Sequence, residues 1–516
     1  MSSLLTRDEY QNLADSLPLP TGAVIDGKAR AARSGDTFET INPATGQVIA
    51  KIASCGQADV DLAVEKARLA FESGAWSRAH PSERKRVLRR LVKLMKQNAH
   101  ELAVLETLES GKPIYDVETI DIPEALHCLE WHAEATDKLY GQTSPSGDEV
   151  VSMIVRQPLG VVACVLPWNF PILMLTWKIG PALATGNSVI VKPAEQTNMS
   201  TLRIAELAHE AGLPSGVLQI VTGPGEVTGK ALGMHPDVDM VAFTGSTEVG
   251  RKFLEYSAKS NLKRIVLECG GKNPCIVLDD AENLDVVAQH VTQAVFWNMG
   301  ENCSSNSRLI VHEKIKDRLV ETVLHKLKEW PLGEPLDPGN RLGAIVSKEQ
   351  FDRILGYIKK GRAEGARIVT GGNAHKYGKG YFIEPTVFDD VTPEMAIARE
   401  EIFGPVLSVI KVANADEALR VANDTQYGLA ASIFTANLGK AHRIARDIRA
   451  GTVTINCYGE GDVSTPFGGF KLSGFGGRDK SLHAHDQYTE LKTIWADISD
   501  PKVSRSVDYP GCTDER

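Results

Sequence analysis

Apolar residues fall into two textures along the 516-residue chain: helical spacing dominates the first 140 residues, and short continuous runs dominate the rest. Val87, Leu91 and Met95 share one face of a helix that Ser82 is expected to cap, with Lys and Arg on the other face. An earlier helix is expected from Asp59, and a third over residues 119–138, carrying Asp121, Glu124, Cys128, Trp131 and His132. Residues 1–50 read as an arm with short strands that reverse at Ile25-Asp26-Gly27-Lys28 and Asn42-Pro43-Ala44-Thr45-Gly46.

Beyond residue 150, Val- and Ile-rich runs at 159–166, 188–191, 216–221, 239–243 and 264–268 alternate with helix-like segments. Strands without polar alternation are those buried on both faces, so the pattern predicts a parallel sheet between helices, with ligands at the carboxyl edge of its strands. A second set at 381–388, 406–412, 431–435 and 452–456, with a helix bearing Ile315, Leu319 and Val323, predicts a second α/β domain. The last apolar strand, 488–495, has no later partner, and the charged tail reads as irregular.

Between the two sets, Val287, Val291 and Val295 mark one helix face, Met299-Gly300 breaks it, and Leu309-Ile310-Val311 begins a strand. Cys303 therefore sits on a turn between rigid elements, where a nucleophile is both exposed and held. A lone cysteine is commonly a small core residue, but Glu301, Asn302, Ser304, Ser305 and Asn306 around it are polar. The eight cysteines form no CxxC pair, which favours free thiols and no metal site. A net charge of −9 argues against nucleic acid or an anionic membrane as partner. The polar N-terminus and the lack of a membrane-length apolar run lead to the expectation of a cytoplasmic protein.

PWNFP (167–171), GPALATGNSVIVKPAEQT (180–197), FTGSTEVG (243–250), LECGGKNP (267–274), the Cys303 stretch, EEIFGPV (400–406) and PFGGFKLSG (466–474) occur in the order seen in aldehyde dehydrogenases. One glycine-rich motif is weak; seven in register make the resemblance specific. It implies an α/β architecture with three parts. A Rossmann-like NAD-binding domain spans 1–137 and 160–271, a catalytic domain 272–483, and a small β oligomerisation projection 138–159 and 484–500, followed by a tail over 501–516. DIPEALHCLEWHAEATDKLYG and GRDKSLHAHDQYTELKTIW further resemble the branch acting on γ-glutamylaminobutanal and related ω-aminoaldehydes of putrescine breakdown. A broad-specificity enzyme or a betaine or semialdehyde dehydrogenase is the alternative.

Oxidising an aldehyde by hydride loss requires a tetrahedral carbon, because a planar carbonyl has no hydride to give. A thiolate makes that adduct, which assigns Cys303 as nucleophile. By resemblance, the side-chain amide of Asn169 and the backbone N–H of Cys303 stabilise its oxyanion. Glu268, ending the RIVLE strand, matches the base that activates water on the thioester, and Lys178 matches a proton relay. Relatives that pass the acyl group to coenzyme A lack that glutamate, so a free acid is the expected product. Lys192 and Glu195 are expected at the adenosine ribose, where a carboxylate favours NAD over NADP. Gly245 and Ser246 open a helix toward the pyrophosphate, after Phe243 in the same motif. GPGEVTG supplies Gly225 and Gly229 in place of the common GxGxxG spacing. Glu401 and Phe403 match residues holding the nicotinamide ribose and ring, and Trp168 matches one lining the cleft.

Asp121 and Glu124, with Glu460 and Asp462 of CYGEGD, are expected at the mouth of the substrate funnel, lined by Phe170 and Trp177. Carboxylates there would draw a cationic aldehyde. The resemblance also supplies a partner for the last strand in a neighbouring subunit, with residues 153–156 in the same projection, implying a dimer or tetramer. Three positions depart from the family: Glu301 for glutamine, Cys269 for leucine, and one extra glycine in GFGGRDK. A cysteine hydrolase leaves the cofactor motifs unexplained, and a non-catalytic binding protein leaves Cys303, Glu268 and Asn169 unexplained.

Overall fold

The first set of apolar runs builds an eight-stranded sheet. Its centre is five parallel strands, in the spatial order Arg264–Glu268, Met240–Thr244, Val161–Val165, Ser188–Lys192 and Leu218–Ile220. Nearly every residue in them is buried, which is why they read as unbroken apolar runs. Both edges are antiparallel: Gly474–Phe475 beside Arg264–Glu268, and the hairpin Ala23–Ile25/Lys28–Arg30 beside Leu218–Ile220. That hairpin turns through Asp26 and Gly27, both at positive φ (56° and 71°), as a tight turn between twisted strands requires. This computed structural model describes residues 4–499, so the expected tail over 501–516 and Cys512 lie outside the described residues.

The second set forms a seven-stranded sheet. Thr386–Asp389, Val406–Val412, Arg308–His312, Pro274–Val277, Ala430–Phe434 and Thr452–Ile455 run parallel, with Arg367–Thr370 antiparallel at one edge. The run at 381–388 becomes a strand only at Thr386, because Pro385 has no N–H for the ladder. Phe382 instead fills a small cluster with Ala44 and Ala344.

Several helix starts differ from expectation. Gly56, not Asp59, precedes the Gln57–Ser73 helix; Asp59 sits one turn in, and its carboxylate accepts the Gly56 N–H (3.0 Å). The helix Pro81–Gln97 begins with proline at its first position after His80, so Ser82 lies inside it. An unforeseen helix, Arg7–Ser16, is fixed by a reciprocal cap between Thr6 and Glu9.

The last strand does have a partner in its own chain. Thr489–Asp497 pairs antiparallel with Val150–Pro158 over nine positions, with Gln142–Ser144 on the far side. Its outer edge stays bare, and Leu491 and Trp495 are 65% and 63% exposed.

The third helix is shorter than expected, Ile122–Ala135, and follows a π turn over Val117–Asp121. Asp121 and Glu124 do not share an environment there. Positions three apart in a helix still differ by about 60°, and here Asp121 is fully buried while Glu124 is exposed. Asp121 is paired with the buried Lys112, which also lies 3.4 Å from Glu106 and 4.1 Å from the centre of the Phe170 ring. Asp121 is thus a core ion-pair partner rather than a group at a pocket mouth. Removing one member of a buried pair leaves the other charge unpaired, at a cost of about 3 kcal/mol. Asp121→Asn should therefore lower the thermal unfolding midpoint by several degrees; an unchanged midpoint would show that Glu106 alone suffices for Lys112.

Candidate active site

The helix Leu284–Phe296 buries Val287, Val291 and Val295 against the second sheet. The chain then turns through Asn298, Met299 and Gly300, all at positive φ (52°, 54° and 69°). A side chain at Gly300 would come within 2.2 Å of the Gly404 carbonyl, so glycine alone lets this turn run against the EEIFGPV segment. Cys303 follows, half-buried, before the strand Arg308–His312. Asn273 Nδ2 fixes the turn by donating to the carbonyls of Cys303 (2.7 Å) and Ser305 (3.0 Å). Among the described residues, the Cys303 N–H has no hydrogen-bond acceptor. Burial pushes the thiol well above its usual range, and Glu460, Glu401 and Glu268 push it further.

Asn169 lies at 6% exposure just before the Pro171–Ala184 helix. Its amide donates to the Glu301 carbonyl (3.0 Å), leaving its second N–H beside the cleft that Cys303 also lines. Glu268 ends its strand at 3% exposure, and neither carboxylate oxygen has a hydrogen-bond partner among the described residues. Burial, then Asp479, raises its carboxyl well above the normal range, while Lys178 and Arg478 oppose them. A side chain at Gly468 would meet Glu268 Oε1 at 2.6 Å, so that glycine leaves the carboxylate room. Lys178 is fully buried and paired with Asp479 at 2.6 Å.

Two cavities meet at these residues. An open cleft of about 250 Å³ is lined by Trp168, Asn169, Gly245, Ser246, Glu401 and Phe403. A narrow recess, with room in this structure for little more than a water molecule, is lined by Phe170, Trp177, Phe467, Glu460 and Asp479. Cys303, Glu268, Met174, Thr244 and Cys269 line both. The thiol and the carboxylate therefore stand where two ligands entering from different sides would touch.

The cleft fits a dinucleotide. Ser246 caps the helix Thr247–Lys259, whose amino end opens into it. A side chain at Gly270 would lie 2.0 Å from the Glu401 carboxylate, which instead accepts the Gly271 N–H (2.7 Å). Phe403, at φ 59°, holds its ring edge-on to Trp168. Beyond Gly245, Glu195 accepts the Gly225 N–H (2.5 Å) with Lys192 Nζ at 3.6 Å, and Gly229 packs against the Lys192 stem. Phe243 is buried behind Gly245, its ring 2.5 Å from where a β-carbon would stand, so it shapes the motif from inside.

The acidic residues separate. Glu460 lines the recess, and Ser304 Oγ donates to it (2.5 Å). Exposed Glu124 feels Glu460: its carboxyl is pushed up to about 7 by desolvation, then by Glu460 and Asp121, with Lys480 opposing. Asp462 is exposed, accepts the Ser464 N–H and lies 3.9 Å from His127, away from the recess lining. Glu301 is buried, its carboxyl raised well above normal by desolvation while accepting the Val346 N–H. The partners Asp479, Lys112 and Tyr458 were missed. Asp479 is 301 residues from Lys178, and nothing in the spacing announces such a pair.

A family model described as the aldehyde dehydrogenase family matches residues 30–494. The chain is 56% identical over 499 residues to an aminoacetaldehyde dehydrogenase of Pseudomonas aeruginosa, covering 97% of this chain and 100% of the relative. It superposes with a TM-score of 0.94 on the γ-glutamyl-γ-aminobutyraldehyde dehydrogenase of Burkholderia cenocepacia, at 52% identity, covering 96% of this chain and 100% of that one. The indole-3-acetaldehyde dehydrogenase of P. syringae, solved with NAD+ and IAA, matches with a TM-score of 0.94 at 50% identity over 96% of this chain and 100% of its own. The chain belongs to the aldehyde dehydrogenase family, oxidoreductases acting on the aldehyde group.

Proposed function

We propose that the protein oxidises an ammonium-bearing aldehyde to the free acid with NAD, through a covalent adduct on Cys303. The observation that carries this is the pair of cavities sharing Cys303 and Glu268. When bound, NAD supplies the hydride acceptor that turns the Cys303 adduct into an acyl thioester. The protein's own residues do the rest. The Cys303 thiolate adds to the aldehyde carbon, and its free N–H and the second N–H of Asn169 stabilise the oxyanion. Glu268, with no competing hydrogen bond, takes a proton from the water that attacks the thioester. Lys178 and Asp479 lie behind it as the exit for that proton. The NAD-binding part comprises 1–137 and 160–271, the catalytic part 272–483, and the projection 138–159 and 484–500.

Nucleophile and base divide the labour. Cys303→Ala should abolish aldehyde oxidation and any ester hydrolysis. Glu268→Gln should release one equivalent of NADH in a burst and then stall; full steady turnover in Glu268→Gln would remove that carboxylate from the mechanism.

The carboxylate of Glu195 repels a 2′-phosphate, but Lys192 at 3.6 Å partly offsets it. The preference for NAD should be about tenfold in kcat/KM, about 1.4 kcal/mol. Glu195→Gln should erase most of it, and equal efficiency in the wild type would show that another group meets the ribose.

For the substrate, Glu460 inside the recess, with Glu124 close enough to feel its charge, attracts a cation, while Phe170, Trp177 and Phe467 take the methylenes. The likeness to an aminoacetaldehyde dehydrogenase supports this. 4-Aminobutanal and 4-guanidinobutanal are suitable substrates, as is γ-glutamylaminobutanal with its zwitterionic end. Replacing Glu460 and Glu124 by Gln should raise KM for 4-aminobutanal about tenfold and leave hexanal nearly unchanged; equal effects on both would end the cationic reading.

The bare edge of Thr489–Asp497, with Leu491 and Trp495 exposed, is a pairing surface for a second subunit, making a dimer or tetramer. Light scattering at micromolar concentration should show the oligomer, and a fully active monomer would contradict it.

A further inference from the structure

Two hydrogen bonds strap the loop after the Thr452–Ile455 strand onto the nucleophile turn, one on each side of Cys303. Asn302 Nδ2 donates to Tyr458 Oη (2.9 Å), and Ser304 Oγ to Glu460 Oε1 (2.5 Å). Ser304 follows Cys303 directly, and Glu460 and Cys303 line the same recess, so a ligand seated at Glu460 shares that space with the sulfur.

The groups facing Cys303 are acidic from every side: Glu268 from the first sheet, Glu401 from the segment before Val406–Val412, and Glu460 from the strapped loop, with the Tyr458 phenol beside it. The cations nearby are already hydrogen-bonded, Arg478 to the Gly477 carbonyl (2.7 Å) while it acts on Glu268. Lys178 is held by Asp479, and Lys480 donates to the carbonyls of Glu460 (3.0 Å) and Gly461 (3.3 Å) from above the Trp177 ring. Glu124 adds a further carboxyl on the Glu460 side. Among the largest influences on the thiol, the three carboxylates oppose its ionised form and the Ser304 N–H favours it.

We propose that the positive end of the substrate, seated at Glu460, cancels the acidic field on Cys303, so that a cationic aldehyde promotes ionisation of its own nucleophile. The proton leaves Sγ for bulk water through the recess, the electron pair stays on sulfur, and the thiolate adds to the aldehyde carbon. Without a cation the thiol stays protonated, which spares it from alkylation and oxidation. This rests on the ammonium-bearing substrate proposed above and adds timing to recognition: Glu460 binds the cation and releases the thiol in one event. An opposite charge within about 4–6 Å moves a titration by about one to three units, so the effect is measurable.

The test reads the ultraviolet thiolate band of Cys303, as the difference between wild type and Cys303→Ala, across a pH titration. The probes are ethylguanidinium, a permanent cation, and ethylurea, its neutral counterpart. Ethylguanidinium should raise the thiolate fraction of the wild type about tenfold at a pH below the midpoint, and ethylurea should leave it unchanged. Glu460→Gln should start from the raised fraction and ignore both probes. Equal responses to the two probes with Glu460 unchanged would overturn the proposal, as would a Glu460→Gln titration identical to wild type. If the KM comparison between 4-aminobutanal and hexanal still separates while the thiol does not respond, recognition stands and timing falls. If KM does not separate either, both fall.

Discussion

Taking a thiol and a carboxylate out of water together constrains everything around Cys303 and Glu268. Burial disfavours the charged form of each, Glu460, Glu401 and Glu268 add to it at the thiol and Asp479 at the carboxyl, so both titrate well above their ordinary ranges. The reward is a dry junction in which a few N–H groups and one base act strongly. The surroundings keep that junction intact without neutralising it. Lysines are present but committed, Lys178 to Asp479 and Lys112 to Asp121 and Glu106, so these positive charges hold the framework.

Close backbone approach is the second requirement. Gly300 against Gly404, Gly270 against the Glu401 carboxylate and Gly468 against Glu268 leave no room for a side chain. Each lies where two segments from different parts of the chain converge on the junction. The two parallel sheets deliver those segments. The carboxyl end of Arg264–Glu268 presents the base, and the helix Leu284–Phe296 and its left-handed turn present the nucleophile. The short strand Gly474–Phe475 crosses from the second part of the chain to pair with Leu267 and Glu268, fixing the base strand at its edge.

Much of this was legible in sequence, for a physical reason. Strands buried on both faces must be apolar throughout, so runs such as Val161–Val165 and Val406–Val412 announced two parallel sheets. The turn at Cys303 was legible because Val287, Val291 and Val295 stop where Met299-Gly300 begins. Asp121 misled, because charge ordinarily marks surface: it is fully buried, and its partner Lys112, like the Asp479 partner of Lys178, is supplied only by the fold. Helix starts misled at Asp59 and Ser82 because a cap depends on backbone geometry as well as residue type. The last strand found its partner at Val150–Pro158, more than 300 residues earlier, a pairing that no local pattern encodes.

The central claim is that the aldehyde carbon becomes bonded to Cys303 and that Glu268 is needed only to free it. The most direct measurement is the mass of the Cys303 peptide from Glu268→Gln protein, quenched after mixing with NAD and 4-aminobutanal. The account predicts one acyl group on that peptide, in step with one equivalent of NADH. An unmodified Cys303 peptide alongside that equivalent of NADH, or the acyl group on any other residue, would contradict it.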